Sequence, residues 1–346
     1  MKAAAVKTSN GVLLVNLGSP DSPAVPDVRR YLDEFLMDGR VLDYPYPLRR
    51  LIVSAFILPT RPQKSAEAYH AIWRQEGSPL IVISRRLQHK LGAELNLPLA
   101  LAMRYGQPDL ASGFRELLKQ GVKRVLLVPL YPHYAMSTFE TVVAAARQAL
   151  QRMNSKVKLE VLKPFYDHPA YLSALVESAR PYLAQEHDHL LFSYHGVPER
   201  HLRKTDPTHK HCLSSPDCCS TLSPAHATCY RRQVFETTRL FVEQAGLDPA
   251  RTSLAFQSRL GRDPWLAPST DTEITRLAQS GVKRLHVICP AFIADCLETL
   301  EEIGIRGRET FLAAGGESFQ LVPCLNDHPA WVSALRTLVG EALPDF

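Results

Sequence analysis

Short apolar, β-branched runs recur along this chain at intervals wide enough to hold a helix between them. They fall at Val12–Asn16, Leu99–Met103, Arg124–Leu130 and Leu159–Leu162 in the first half. The second half has them at Leu190–Tyr194, Ser253–Phe256, Arg284–Ile288 and Gln320–Val322. Between them the periodicity is helical, as in Leu110–Gln120, Asp271–Ser280 and Arg231–Glu243, and the first two are closed by Gly121 and Gly281 at the position where helices end. Buried strands alternating with helices predict parallel β-α-β units. The expected fold is therefore α/β, with a four-stranded parallel sheet flanked by helices in each half.

The two halves also repeat each other. Gly121-Val122-Lys123-Arg124 returns as Gly281-Val282-Lys283-Arg284, an offset of 160 residues. Asp167-His168-Pro169-Ala170 returns at the same offset as Asp327-His328-Pro329-Ala330. A shared offset in unrelated segments points to two copies of one unit, and the period is too long for a solenoid. Two similar Rossmann-like lobes are expected, at 1–170 and 171–346, with the join between Tyr166 and Arg180. At 346 residues each lobe is long enough to bury its own core.

Composition narrows the class without choosing a function. The chain is 45% hydrophobic and 22% charged with a net charge of +5, which suits a soluble globular protein. Basic residues occur only in short blocks such as Arg49-Arg50 and Arg231-Arg232, so no nucleic-acid footprint is expected. Met1 to Asn10 is polar and Val12–Leu17 is too short for a secretory h-region. No run reaches the roughly 18 apolar residues of a membrane span. The expected location is the cytoplasm. Leu51–Leu58, just after Arg49-Arg50, is an apolar segment able to touch the inner membrane or line a greasy pocket.

In open parallel sheets, ligands bind beyond the carboxyl ends of the strands. That rule selects Asn16–Gly18, Arg104-Tyr105 and Tyr131–Thr138 in the first half. In the second it selects His195, Gln257–Gly261 and Pro290–Glu298. Leu17-Gly18-Ser19-Pro20 is not a dinucleotide loop and no phosphate loop occurs, so a nucleotide cofactor is not expected. Aligning the first strands of the copies sets Leu17 against His195, a functional divergence inside the repeat. Asp295 and Glu298 lie one helical turn apart, so both carboxylates can share a face. A His/carboxylate set of this kind can move protons or hold a divalent metal weakly.

Several segments then resemble the signature of the ferrochelatase family. They are Ser193–Arg200 with Lys204–Pro207, Gln257–Gly261 with Pro264-Trp265-Leu266, and Ala294–Leu300. Asn16-Leu17-Gly18, Met103-Arg104-Tyr105 and Tyr131-Pro132-His133-Tyr134 extend the resemblance, which runs from about residue 11 to residue 335. It implies a chelatase-like fold and insertion of Fe(II), as substrate, into protoporphyrin IX to give protohaem. By position, His195 is the active-site histidine that takes a pyrrole proton or contacts the iron. Glu298 is the paired acid, supported by Asp295. Arg104, Tyr105, Ser137 and Trp265 line the porphyrin cleft, and Arg61 lies near its mouth by a propionate. Some members have a histidine where this chain has Cys296, so that position is not an obligatory ligand. Alternatives are a coproporphyrin III or other tetrapyrrole chelatase, and a non-catalytic haem or metal carrier, for which a proton-acceptor pair would be superfluous.

Four of the seven cysteines, Cys212, Cys218, Cys219 and Cys229, crowd into an insertion, 209–229, that the first copy lacks. A cytoplasmic chain has little use for disulfides. Four thiolates suit zinc or an iron–sulfur cluster, with His209, His211 and His226 as substitute ligands. The spacing lacks the paired C-x2-C of a zinc ribbon. The insertion resembles that of bacterial ferrochelatases carrying a 2Fe–2S cluster, which implies such a cluster on these four cysteines, with zinc the alternative. Cys289, Cys296 and Cys324 read as buried structural residues.

Overall fold

A computed structural model describes residues 9–259, 261 and 263–343. Leu260 of the second signature segment, the polar leader Met1–Thr8 and residues 344–346 of the second lobe lie outside the described residues. Among the described residues, eight strands form two all-parallel sheets. The first contains β1 (Asn10–Gly18), β2 (Leu99–Tyr105), β3 (Arg124–Pro129) and β4 (Lys158–Val161), in the order β2-β1-β3-β4. The second contains β5 (His189–His195), β6 (Thr252–Gln257), β7 (Arg284–Ile288) and β8 (Ser318–Leu321), in the order β6-β5-β7-β8. Both orders are the same, so the sequence repeat is a repeat of topology.

The repeated segments turn out to be punctuation. Gly121 and Gly281 take φ of 81° and 98° and end the helices Leu110–Lys119 and Thr270–Gln279, a backbone that a side chain would strain. In the other repeat, His168 and His328 are N-caps. Each ring Nδ1 accepts the N–H of the alanine two residues on, at 3.2 Å, ahead of helices that begin with proline. Both motifs therefore serve the fold.

Those two helices tie the lobes together. Pro329–Ala342, which follows β8, packs on Pro79–Glu94 of the first lobe as well as on Pro169–Leu183. Pro169–Leu183, which follows β4, packs on Tyr230–Gln244 of the second lobe. One apolar core accordingly runs from Leu14 and Val128 through Tyr171 and Trp331 to Phe192 and Val234. Trp331 is fully buried, stacked on Phe165 at 5.7 Å and edge-on to Tyr171 at 6.1 Å. The expected join at 170/171 falls inside the helix Pro169–Leu183, one of the helices that bridge the lobes.

Because this core is shared, both lobes should unfold in one cooperative urea transition. Trp331→Ala is expected to cost about 3–5 kcal/mol by cavity formation. Denaturation followed by tryptophan fluorescence and by far-UV circular dichroism checks both, and two separate transitions would contradict the shared core.

Candidate active site

The carboxyl ends of both sheets, together with the segment between β1 and β2, enclose a cavity of about 1260 Å³. Its walls are apolar on the first-lobe side, with Leu32, Leu36, Val41, Leu42, Ile52 and Ile57. The second-lobe wall carries the polar groups, among them His195, Gln257, Glu298 and Glu302.

His195 ends β5, where pairing with Gln257 fixes its backbone. Its Nδ1 lies 2.6 Å from the Gly196 carbonyl, which can only accept, so Nδ1 carries the proton. In the neutral ring Nε2 then bears a free lone pair. The Tyr230 hydroxyl donates to the His195 carbonyl at 2.9 Å, and the Gly196 N–H donates to the Gln257 carbonyl at 2.7 Å. Gly196 is required by close approach, not by a tight turn: a Cβ there would lie 2.9 Å from the Gln257 carbonyl and 3.2 Å from the Trp265 ring.

Facing this imidazole is the wide-wound segment Glu298–Gly307, whose i→i+5 bonding is typical of local insertions at functional sites. Glu298, Glu301, Glu302 and Arg306 of this segment line the cavity. Gln257 anchors its start by donating to the Glu298 carbonyl at 2.8 Å. On the first-lobe side Glu298 meets Tyr31 and Tyr69, whose phenols are pushed well above their ordinary range by burial and, in part, by that carboxylate. Both phenols stay protonated beside it.

Glu302 was not among the sequence candidates, and it is the best-defined acid here. Ser258 donates to it twice, from its N–H at 2.9 Å and its hydroxyl at 2.5 Å. Burial raises the Glu302 carboxyl above its ordinary range, helped by Glu298 and opposed by Ser258 and His195. Ser258 adopts φ of 66°, a strained conformation costing on the order of 1–3 kcal/mol, and the paired bonds to Glu302 hold it there. The signal in the sequence was the i, i+4 spacing of Glu298 and Glu302.

Asp295 departs from its expected place. Its carboxylate turns from the cavity and accepts from Asn326 Nδ2 at 2.6 Å, Thr299 Oγ1 at 3.1 Å and the Cys324 N–H at 3.2 Å. It braces the turn before Glu298 and shares no face with it. The helical spacing failed because residues 289–296 form a turn and no helix has begun at Asp295.

Arg104 and Tyr105 are also corrected: neither lines the cleft. Arg104 pairs with Asp38 and donates to Thr141 Oγ1 at 2.7 Å, and Tyr105, 1% exposed, donates to Asp38 at 3.0 Å. β2 is an edge strand, and the helix Val25–Leu36 covers its end, with Phe35 edge-on to Tyr105 at 5.2 Å. The strand-end rule selected the right level of the fold and the wrong side of that helix. Ser137, Trp265 and Arg61 do line the cavity, and Lys64, one turn beyond Arg61, joins them.

In the insertion, all four cysteines are buried and unbridged. Cys229 is within hydrogen-bonding reach of Cys212 and Cys219, and Cys219 of Cys218. Burial pushes the Cys212 thiol up to about 11, and the Cys229 thiol beside it together with burial raises Cys219, so those two thiols are costly to ionise without a cation. Among the described residues no three Cys, His, Asp or Glu side chains stand at metal-ligand spacing. The histidines have other work: His211 Nε2 and His226 Nε2 both face the Cys218 carbonyl, at 2.7 and 3.2 Å. Asp206 organises the loop, accepting from the Cys212, His211 and Thr208 N–H groups at 2.8 Å each.

The fold is one seen in chelatases. It is shared with SirB of Bacillus subtilis with Fe3+, at a TM-score of 0.55 and 13% identity over 96% of this chain and 95% of that one. The cobalt complex of the sirohydrochlorin chelatase SirB from Bacillus subtilis subspecies spizizenii aligns at 0.54 and 12%, over 97% and 96%. At the level of sequence, the family model described as Ferrochelatase matches residues 9–343. Proteins named Ferrochelatase from Ectopseudomonas mendocina and Opitutus terrae are 56% and 54% identical over 97% and 96% of this chain, and 98% and 97% of their own lengths. The chain belongs to the ferrochelatase family, enzymes that insert iron into a porphyrin.

The two acids of the signature should separate experimentally. Asp295→Ala leaves three donors without their acceptor and is expected to cost about 2–4 kcal/mol of stability. Glu298→Gln should keep its melting temperature and lose turnover. Thermal unfolding beside iron-insertion assays checks this, and a stable, inactive Asp295→Ala would put Asp295 back in the site.

Proposed function

We propose that the enzyme binds protoporphyrin IX in the cleft between the lobes and metallates it there with Fe(II), His195 and the Glu298/Glu302 pair receiving the displaced protons. The observation that carries this reading is the His195 ring, with Nδ1 committed to a carbonyl and Nε2 free on a cavity wall shared with two carboxylates.

In the overall step, four pyrrole nitrogens bond one Fe(II) and two N–H bonds break. Two protons leave as two positive charges arrive, so the macrocycle's charge does not change. Neutral Nε2 can take one proton directly. Glu302, whose burial favours its protonated form, suits the second, passed along the wall from Glu298. These groups can also offer the incoming iron oxygen and nitrogen contacts while it sheds water. A macrocycle pressed between the Trp265 wall and the Leu42–Ile57 wall must pucker to aim its lone pairs at the metal. Rigid walls that fit the puckered form better than the planar one lower the barrier.

Arg61 and Lys64 supply the propionate contacts, as charge-assisted bonds at the mouth. They come from one helix, so they suit a porphyrin with its two propionates on adjacent corners. Of the other arginines that line the cavity, Arg200 is paired with Asp43 and Asp263, Arg306 with Glu301, and Arg259 donates to the Asp263 carbonyl at 3.5 Å. The lip also exposes Tyr46, Leu48, Leu51 and Phe56 beside Arg49 and Arg50, an amphipathic edge suited to an anionic membrane face on the cytoplasmic side. No helix among the described residues is long and apolar enough to cross a membrane.

The four buried thiols suit a 2Fe–2S cluster, with zinc as the other occupant their chemistry allows. Cys212, Cys218, Cys219 and Cys229 would hold it, and the Arg231 guanidinium, 3.7 Å from the Cys218 sulfur, would offset its negative charge. Bound there, the group supplies redox-responsive chemistry away from the cleft.

Two variants test these assignments. His195→Ala should bind porphyrin and fold normally yet lose iron insertion; near-normal turnover would remove the proposed mechanism. Cys219→Ser should bleach the visible absorption of a resident cluster, and an unchanged spectrum would take that cysteine out of the ligand set.

A further inference from the structure

Both ends of the four-cysteine segment are attached to the active site. At its far end Cys229 is followed directly by Tyr230, the first residue of the helix Tyr230–Gln244. Tyr230 is buried, and its hydroxyl donates to the carbonyl of His195 at 2.9 Å. That carbonyl belongs to the peptide whose other half, Gly196, donates to Gln257 and whose next carbonyl holds His195 Nδ1. Three hydrogen bonds thus fix one peptide unit and the ring it carries, and one of them comes from the residue next to a cysteine.

The near end is tied as closely. Asp206, which gathers the loop around Cys212, ends the helix Glu199–Thr205. From that helix Arg200 reaches across the cleft mouth to Asp43 at 2.6 Å and to Asp263, while lying 4.8 Å over the Tyr44 ring. The two ends are joined to each other as well: Thr228 Oγ1 donates to the Thr205 carbonyl at 2.6 Å. A shift of the cysteine loop therefore has a short rigid path to the His195 peptide.

We propose that Tyr230 is a positioning residue for iron insertion, through which the state of the four cysteines is conveyed to His195. The positioning role stands on the hydrogen bond alone; the coupling stands on the loop contacts that end at Tyr230, and only its trigger rests on the reading of the cysteines as a metal site. Tyr230 borders the cavity, but its hydroxyl is spent on the His195 carbonyl, so in this scheme it acts by orienting the ring that reacts. Because it acts on orientation, its loss should appear in turnover and in the His195 ring environment, with porphyrin affinity left alone.

Tyr230→Phe keeps the ring and removes only the hydroxyl. Losing one buried hydrogen bond to the reacting group's peptide should lower kcat for Fe(II) insertion roughly tenfold, with the porphyrin KM unchanged. The His195 ring nitrogen resonances should move in the same variant; a normal kcat with unmoved resonances would overturn the positioning role. For the coupling, the same resonances are compared with and without Cys219→Ser, in the Tyr230 and Tyr230→Phe backgrounds. A shift present in the first background and lost in the second supports it. Equal shifts in both, or none in either, overturn it. Thr228→Val, which frees the same loop end without removing a thiol, replaces Cys219→Ser if that variant does not fold. Iron, sulfide and zinc content of the purified chain reports separately on the metal reading: a metal-free protein that still shows a Tyr230-dependent shift keeps the coupling and removes the metal.

Discussion

The hydrogen bond from His195 Nδ1 to the Gly196 carbonyl leaves the imidazole one way to meet a ligand, through Nε2. A ring free to rotate could present either nitrogen, and the neutral form could carry its proton on either. Here the tautomer follows from an acceptor that has no proton to give. The rest of the second lobe secures that peptide. β6 holds it from one side, Tyr230 from another, and the absent side chain of Gly196 lets Trp265 and the Gln257 carbonyl close over it.

The carboxylates follow a different rule. Glu298 and Glu302 sit on a segment wound more widely than an α-helix, Asp295 in the turn before it, and their bonding partners decide their roles. Asp295, with three donors on its carboxylate, is spent on structure. Glu302 is held by a single strained serine and kept in a site that favours its protonated form. Two carboxylates seven residues apart thus have different duties, and burial and donor count separate them.

Much of this was legible in the residues. All eight strands follow from apolar runs that admit only a doubly covered sheet, and the two Gly-Val-Lys-Arg turns follow from a backbone that glycine takes without strain. His195 was legible because one copy of the repeat has leucine there. The misreadings share a cause. Arg104 and Tyr105 were assigned by strand end, but which side of a covering helix a strand end faces depends on long-range packing. Asp295 was assigned by helical spacing where the chain had not yet begun its helix. Glu302 was missed since its partner, Ser258, lies 44 residues away on another strand end. Local pattern gives the layer of the fold, and tertiary contact gives the side.

The most direct test is the anaerobic absorption time course of the purified enzyme with Fe(II) and excess protoporphyrin IX. The account predicts that free-base bands vanish as haem bands grow, over many turnovers per chain. Binding of one porphyrin per chain with no metallation would contradict it, and would leave the cleft as a carrier's.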